Sequence, residues 1–212
     1  MKVIAFNGSP RKKGNTHILI ETVFKELEKK GIETEEINIA SKPYRGCMGC
    51  MKCFDNGDGK CVIKTDDLND QFNRMREADG IILGSPVYCA DLSGQMKSFI
   101  DRISFLNFAN GGNVFARKIG TGVMAVRRAG AVPTLHSLNS FFTICQMIVV
   151  GSTYWNMGFG MEEGEVRQDP EGIQTMQNLG KNMAWLLQLK DFAKEKIAEP
   201  DTKVEVLTNF IR

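Results

Sequence analysis

Short apolar runs alternate with helix-like segments along the whole of this 212-residue sequence. Four runs have the apolar character of strands that are covered on both faces, at residues 2–6, 80–86, 118–126 and 147–151, and residues 32–40 alternate at their end as in a further strand. Apolar residues at helical spacing predict helices over residues 16–30, 65–79, 93–106, 131–146 and 170–196. This alternation predicts an α/β fold: a doubly wound, five-stranded parallel sheet in the order 2-1-3-4-5, with helices on both faces.

The composition is that of an ordinary globular domain. Apolar residues make up 42% of the chain, charged residues 25%, and the net charge is +2. The sequence has neither the basic clustering of a nucleic-acid-binding protein nor an apolar run long enough to cross a bilayer. It enters its first strand without the segments of a secretory signal, so we expect a cytoplasmic location.

We expect residues 1–196 to form a single domain, in which a long loop over residues 41–65 interrupts the alternation. Residues 197–212 contain the segment VEVLTNFI, which has no obvious partner in its own domain. This tail is therefore a candidate contact with another subunit.

The segment GSPRKKGNT, residues 8–16, lies directly after the first predicted strand. Ligands of open α/β sheets bind beyond the carboxyl ends of the strands. The segment is not a nucleotide-hydrolase loop, because five residues separate its glycines and Asn15 stands in place of the essential lysine. It also lacks the G-x-G-x-x-G pattern of dinucleotide-binding loops.

The polar groups of this loop suit a terminal phosphate that carries two negative charges. They comprise the free N–H groups of a helix start and the side chains of Ser9, Arg11, Asn15 and Thr16. His17, at the same helix start, is a candidate minor contact. The alternative is a basic polar turn that binds nothing.

Two further motifs accompany this loop: GSPVY (84–88) at the end of the third strand and QMKSFIDR (95–102) in the following helix. Together the three motifs resemble the NADPH-dependent FMN reductase family of flavodoxin-like proteins, over roughly residues 1–155. The resemblance implies an FMN phosphate held by Ser9, Arg11, Asn15 and Thr16. It also implies that Pro86, Val87 and Tyr88 edge the ribityl chain and the flavin ring.

The loop after the fourth strand, VRRAGAV (126–132), would form a third wall of this flavin site. Arg127 or Arg128 would place a positive charge near the ring and favour a reduced, anionic flavin. Either arginine would equally serve as a solvated loop charge.

Four of the six cysteines follow the spacing C-x2-C-x2-C-x7-C, at Cys47, Cys50, Cys53 and Cys61. Ligation by cysteine alone is typical of a [4Fe–4S] cluster, and the glycines between Cys53 and Cys61 allow the chain to turn back. The spacing resembles that of the iron–sulfur flavoproteins, a branch of the same family, although its last gap is long. A zinc site and free thiols are the alternatives.

The resemblance implies an FMN-dependent oxidoreductase with electrons from NAD(P)H or a ferredoxin-like donor. These electrons would pass through the cluster or go to a small acceptor such as a quinone, and the protein would be a homodimer or homotetramer. Such chemistry asks little of side chains, which fits a sequence with no visible nucleophile–base pair. The alternatives are a cluster-free NAD(P)H:FMN or quinone reductase, a non-enzymatic flavodoxin-type electron carrier, and a zinc-stapled binding module.

The remaining reactive or charged residues have simpler interpretations. Cys145 is expected to be buried as a small apolar residue, and so is Cys89, for which a position near the flavin is the alternative. Lys97, Asp101 and Arg102 recur at helical spacing and are expected to form a solvated or subunit-facing salt bridge.

Overall fold

The computed structural model of the chain describes residues 1–208 and Phe210. Its strands are β1 (Lys2–Asn7), β2 (Glu33–Asn38), β3 (Gly80–Tyr88), β4 (Asp91–Leu92), β5 (Ile119–Val126), β6 (Ile148–Val149) and β7 (Met157–Phe159). Its helices are α1 (Asn15–Glu28), α2 (Lys52–Asp55), α3 (Leu68–Glu77), α4 (Gly94–Ala109), α5 (Ala131–Ile144) and α6 (Pro170–Ala193). The predicted tail segment VEVLTNFI lies partly outside the described residues.

The parallel core of the sheet has the order β2-β1-β3-β5-β6, which confirms the predicted 2-1-3-4-5 arrangement. The predicted number of strands is wrong, since the described residues form seven rather than five. One additional strand arises because β3 folds back into the short antiparallel strand β4. The other is β7, which lies after the fifth predicted strand: β6 pairs with the start of β5, and the chain returns as β7 to pair with its end.

Two apolar layers cover the sheet. On one face α1 packs with α6, through residues such as Leu19, Val23, Leu179 and Met183. On the other face α3, α4 and α5 enclose the larger cluster of buried side chains. This is the doubly wound arrangement that the sequence predicts.

Parallel strands end at one edge of the sheet, so their following loops meet there. The loops after β1, β3 and β5 therefore lie together at the carboxyl edge, as a flavin site requires. The long loop over residues 41–65 leaves the same edge after β2 and contains the single-turn helix α2. None of the helices in the described part of the chain is long and apolar enough to span a membrane.

Candidate functional site

The loop after β1 is held in place by its neighbours. Ser9 is buried; its N–H donates to Asn7 Oδ1 at 2.8 Å, and its hydroxyl accepts from the N–H of Arg11 at 3.2 Å. The Asn38 amide, at the end of β2, donates to the Ser9 carbonyl at 2.9 Å. The backbone of the loop is thus shaped before any ligand binds.

The first turn of α1 opens this loop towards an anion. Gly14 is its N-cap, and among the described residues no side chain caps the helix, so the first N–H groups are available to a ligand. Thr16 lies buried inside the first turn. Uncapped N–H groups with the positive end of the helix dipole attract phosphate.

Asn15 and Arg11 both reach the segment that follows β7. The Asn15 amide donates to the Glu162 carbonyl at 2.9 Å, and its oxygen accepts from the Gly164 N–H at 3.0 Å. The guanidinium of Arg11 donates to the Met161 carbonyl at 3.3 Å. The side chain of Asn15 therefore ties α1 to this segment, and its backbone N–H is the group left for an anion.

A chain of hydrogen bonds runs beneath the loop to the protein surface. Asn7 donates to Glu36 at 2.7 Å, and the other carboxylate oxygen of Glu36 lies 2.7 Å from Nδ1 of His17. Nε2 of His17 lies 3.3 Å from Glu21. Both ring nitrogens thus face carboxylates, so His17 supports the loop from below. The sequence signal for Asn7 was its position directly after the first apolar run, whereas Glu36 is one of several glutamates in β2 and had no distinguishing signal.

The second predicted wall is the end of β3, where Pro86 and Val87 are half-buried and Tyr88 is exposed. The hairpin that follows turns at Cys89 and Ala90, both with positive φ, as two-residue hairpins require. The prediction that Cys89 is buried is wrong: its thiol is exposed, because the turn leaves the core. Cys145 is buried as predicted, and burial raises its pKa to about 12.

The third wall meets the second at Gly130. A Cβ atom on Gly130 would lie 2.7 Å from the Cα of Ala90, and its φ of 96° also favours glycine. Arg127 and Arg128 are exposed in the loop before it. Arg127 borders an open cavity together with Phe159, Gly160 and Met161, the segment that Arg11 also contacts.

The four cysteines of the motif line one cavity, together with Arg102, Phe105 and Leu106 of α4. Cys47 and Cys50 are exposed, whereas Cys53 and Cys61 are half-buried. Burial raises the pKa of Cys53, and its three neighbouring cysteines raise it further. Within the described residues, no three ligand side chains already converge in the geometry of a bound metal ion.

The end of the motif is fixed more firmly than its start. Asn69 holds the backbone of Cys61 on both sides, accepting from its N–H and donating to its carbonyl, each at 2.9 Å. The turn before it is fixed by Asn110, which donates to the Gly59 carbonyl at 2.9 Å. Gly59 has positive φ, and a Cβ atom there would lie within 2.4 Å of the Asn110 side chain.

The prediction that Arg102 belongs to a solvated or subunit-facing salt bridge is wrong. Lys97 and Asp101 form the exposed pair that was expected, but Arg102 is buried and pairs with the buried side chain of Asp66. The sequence did carry a signal, since Arg102 lies three residues after Phe99 and therefore on the buried face of α4. Asp66 directly precedes Asp67, which is the N-cap residue of α3.

Helix α4 connects the two regions. At its N-terminus the hydroxyl of Ser93 donates to the carbonyl of Gly8 at 2.8 Å, and Ser93 also caps the helix. Arg102 contacts Cys61 farther along the same helix. With a rise of about 1.5 Å per residue, these two contacts lie roughly 14 Å apart along the axis.

Known proteins share both the sequence and the shape of this chain. The family model described as NADPH-dependent FMN reductase matches residues 1–162. The chain is 40% identical over 196 residues to an iron-sulfur flavoprotein of Methanocaldococcus jannaschii, a match that covers 89% of this chain and 98% of that protein.

Two solved structures share the fold at low sequence identity. RosB, solved with bound 8-demethyl-8-formylriboflavin-5'-phosphate, has a TM-score of 0.72 at 16% identity, over 100% of this chain and 94% of that one. A flavodoxin from the domain Archaea has a TM-score of 0.57 at 15% identity, over 89% of this chain and 99% of that one. The flavodoxin-like fold is therefore confirmed. Because the family model spans most of the sequence and the 40% identical relative nearly all of it, the chain belongs to the NADPH-dependent FMN reductase family and is an FMN-dependent oxidoreductase.

Proposed function

We propose that this oxidoreductase exchanges electrons between FMN at the carboxyl edge of the sheet and a [4Fe–4S] cluster held by Cys47, Cys50, Cys53 and Cys61. The observation that carries the proposal is that all four cysteines line one cavity, next to the helix whose N-terminus supports the loop after β1. FMN supplies hydride and single-electron chemistry when bound, and a cluster accepts single electrons.

The phosphate of FMN is assigned to the first turn of α1. The N–H groups of Asn15 and Thr16, the Thr16 hydroxyl and the Arg11 guanidinium would neutralise its charge, and Ser9 would keep the loop in shape. Asn38 supports a ligand here: its Oδ1 is buried without a hydrogen-bond partner among the described residues, beside the Ser9 carbonyl. An acceptor in that position suits a ribityl hydroxyl.

The flavin ring is assigned to the space between the loops after β3 and β5. Pro86 and Val87 would pack against the ribityl chain and the edge of the ring, and Tyr88 offers an exposed aromatic face for stacking. Arg127 would place a positive charge on the far side, which favours a reduced anionic ring.

The spacing of the cysteines favours a cluster over a zinc ion. Structural zinc sites usually place two Cys-x-x-Cys pairs farther apart, whereas Cys47, Cys50 and Cys53 follow one another at intervals of three residues, and all four cysteines line one cavity. Arg102 donates a hydrogen bond to Cys61 Sγ at 3.2 Å, a contact that suits a negatively charged sulfur. The remaining thiols would be drawn in and deprotonated when the cluster binds.

The electron donor is proposed to be NAD(P)H or a ferredoxin-like protein, and the acceptor a small molecule such as a quinone. A homodimer or homotetramer is proposed as the working form. The described part of the tail supports a subunit contact, because Val206 and Leu207 are more than 80% exposed.

The test is flavin, iron and sulfide analysis of protein purified without oxygen, with its absorbance spectrum. We expect one FMN, four irons and four sulfides per chain. Flavin without iron would leave a cluster-free reductase, and zinc without iron would favour the zinc alternative. Steady-state oxidation of NAD(P)H distinguishes the enzyme from a flavodoxin-type carrier, which would not oxidise it alone.

A further inference from the structure

Arg102 is a buried arginine that binding of FMN does not require. Its side chain is 1% exposed and that of Asp66 is fully buried. The guanidinium donates to the two carboxylate oxygens of Asp66, at 2.5 Å from Nη1 and 3.1 Å from Nη2. A two-pronged contact of this kind fixes the plane of the guanidinium as well as its position.

The same guanidinium reaches both ends of the cysteine motif. Nη2 donates to Cys61 Sγ at 3.2 Å, and Nη1 donates to the carbonyl of Arg45 at 3.2 Å, two residues before Cys47. An arginine side chain is effectively always protonated in a protein. A full positive charge is therefore held against a sulfur that lines the cysteine cavity.

Packing alone does not account for this arrangement. Burying an ion pair is unfavourable, and an apolar pair of similar volume is often as stable. In the part of the chain that the structure describes, Arg102 Nε is also buried without a partner. One N–H group of this guanidinium therefore lacks a hydrogen-bond partner there, although another donates to Cys61 Sγ.

We infer that Arg102 is a positioning residue that raises the reduction potential of a cluster bound through Cys61. The inference rests on the proposed function, since it requires the four cysteines to hold a cluster. Reduction adds one negative charge, and a hydrogen bond and a positive charge at a ligand sulfur stabilise the reduced form. Asp66 offsets part of the charge and holds the donor in line with the sulfur.

The test is a redox titration of the complete, anaerobically purified protein, followed by the electron paramagnetic resonance signal of the reduced cluster. Two variants are used. Arg102→Lys keeps the positive charge but loses the two-pronged contact of the guanidinium. The double variant Arg102→Gln with Asp66→Asn removes both charges, so that neither is left buried without its partner. In the double variant we expect the equilibrium constant for reduction to fall at least tenfold, about 59 mV for one electron. Arg102→Lys should lower it less.

Lys97→Gln is the matched control, because it removes the same charge from the exposed face of the same helix. It should change the equilibrium constant less than twofold, since solvent screens it. Wild-type protein without iron and sulfide would overturn the proposed cluster and this inference with it. A wild-type cluster whose potential is unchanged in both Arg102 variants would overturn this inference alone. The inference would also be overturned if Arg102→Lys kept the wild-type potential while the double variant assembled no cluster. Arg102 would then be needed only for assembly of the cluster.

Discussion

The loop after β1 and the cysteine loop both present groups to a charged ligand, but they are built in different ways. The first is short, follows a buried strand, and is fixed by Asn7 and Asn38. The second is anchored at its ends, by Tyr44 to Asp67 and by Cys61 to Asn69, while Cys47 and Cys50 between them are exposed.

Because the two loops differ in this way, the two ligands would contribute differently to the fold. The sheet preforms the anion site, so a flavin should bind there without reshaping the backbone. The middle of the cysteine loop has no comparable frame, and a ligand that draws the thiols together would supply the missing order. The two sites should therefore fail separately when either is damaged.

The largest expected effect is on metal content. Cys61→Ser should abolish iron binding, since it removes the ligand with the best-fixed backbone, and FMN content should stay at the wild-type level. Iron, sulfide and flavin analysis of the purified variant measures both. Cys89→Ser is the matched control, because it alters an exposed cysteine outside the motif and should leave the iron content unchanged.

Loss of flavin together with iron in Cys61→Ser would contradict the independence of the two sites. It would mean that the cysteine loop forms part of the flavin pocket, through the helix α4 that both regions share.

The next effect concerns flavin affinity. Arg11→Ala should weaken FMN binding roughly 10- to 100-fold, because one charge-assisted hydrogen bond to phosphate contributes about 1.5–3 kcal/mol. Fluorescence titration of flavin-free protein measures this dissociation constant. Lys12→Ala removes an equal charge from the same loop and is the control, with a change below about threefold. Equal losses in the two variants would show that net charge, rather than a placed guanidinium, holds the phosphate.

The same contrast explains what the sequence could predict. The order of the parallel strands followed from the alternation of apolar runs, which local sequence determines. The short strands β4 and β7 did not, because each depends on a return of the chain: the turn at Cys89 and Ala90 for one, and the excursion over residues 150–156 for the other. A run of apolar residues does not show where a strand ends and the chain turns back.

Residue roles were harder to predict than positions. Ser9, Thr16 and the four cysteines were predicted from motifs that are local in sequence, and the four cysteines line one cavity in the structure. Arg102 was assigned to the surface because its partner, Asp66, lies 36 residues earlier, in a loop whose path the sequence does not reveal. His17 was placed beside the phosphate for the same reason, since its contact with Glu36 requires the pairing of β1 and β2.

The smallest effect tests the anchor at the start of the cysteine loop. Asp67 accepts hydrogen bonds from Lys42, Tyr44 and Gln71. Asp67→Asn should lower the free energy of unfolding by about 1–2 kcal/mol at pH 7, because it weakens hydrogen bonds to a charged acceptor. Chemical denaturation measures the loss. Asp101→Asn, at an exposed pair on α4, is the control and should change stability by less than about 0.5 kcal/mol.

The pH dependence of that difference distinguishes an electrostatic anchor from lost packing. Burial acts to raise the pKa of Asp67, but the hydrogen bonds from Lys42, Tyr44 and Gln71 outweigh it, so the pKa lies below its ordinary value of 3.8. A lowered pKa stabilises the folded state fully above that value, and the contribution disappears as the pH falls through the lower, folded-state value. Wild type and Asp67→Asn should therefore differ fully at pH 6–7, and the difference should begin to narrow as the pH falls below about 4 and close only below the folded-state pKa. A gap that does not narrow at all below about pH 4 would mean that the side chain acts by its shape rather than by its charge.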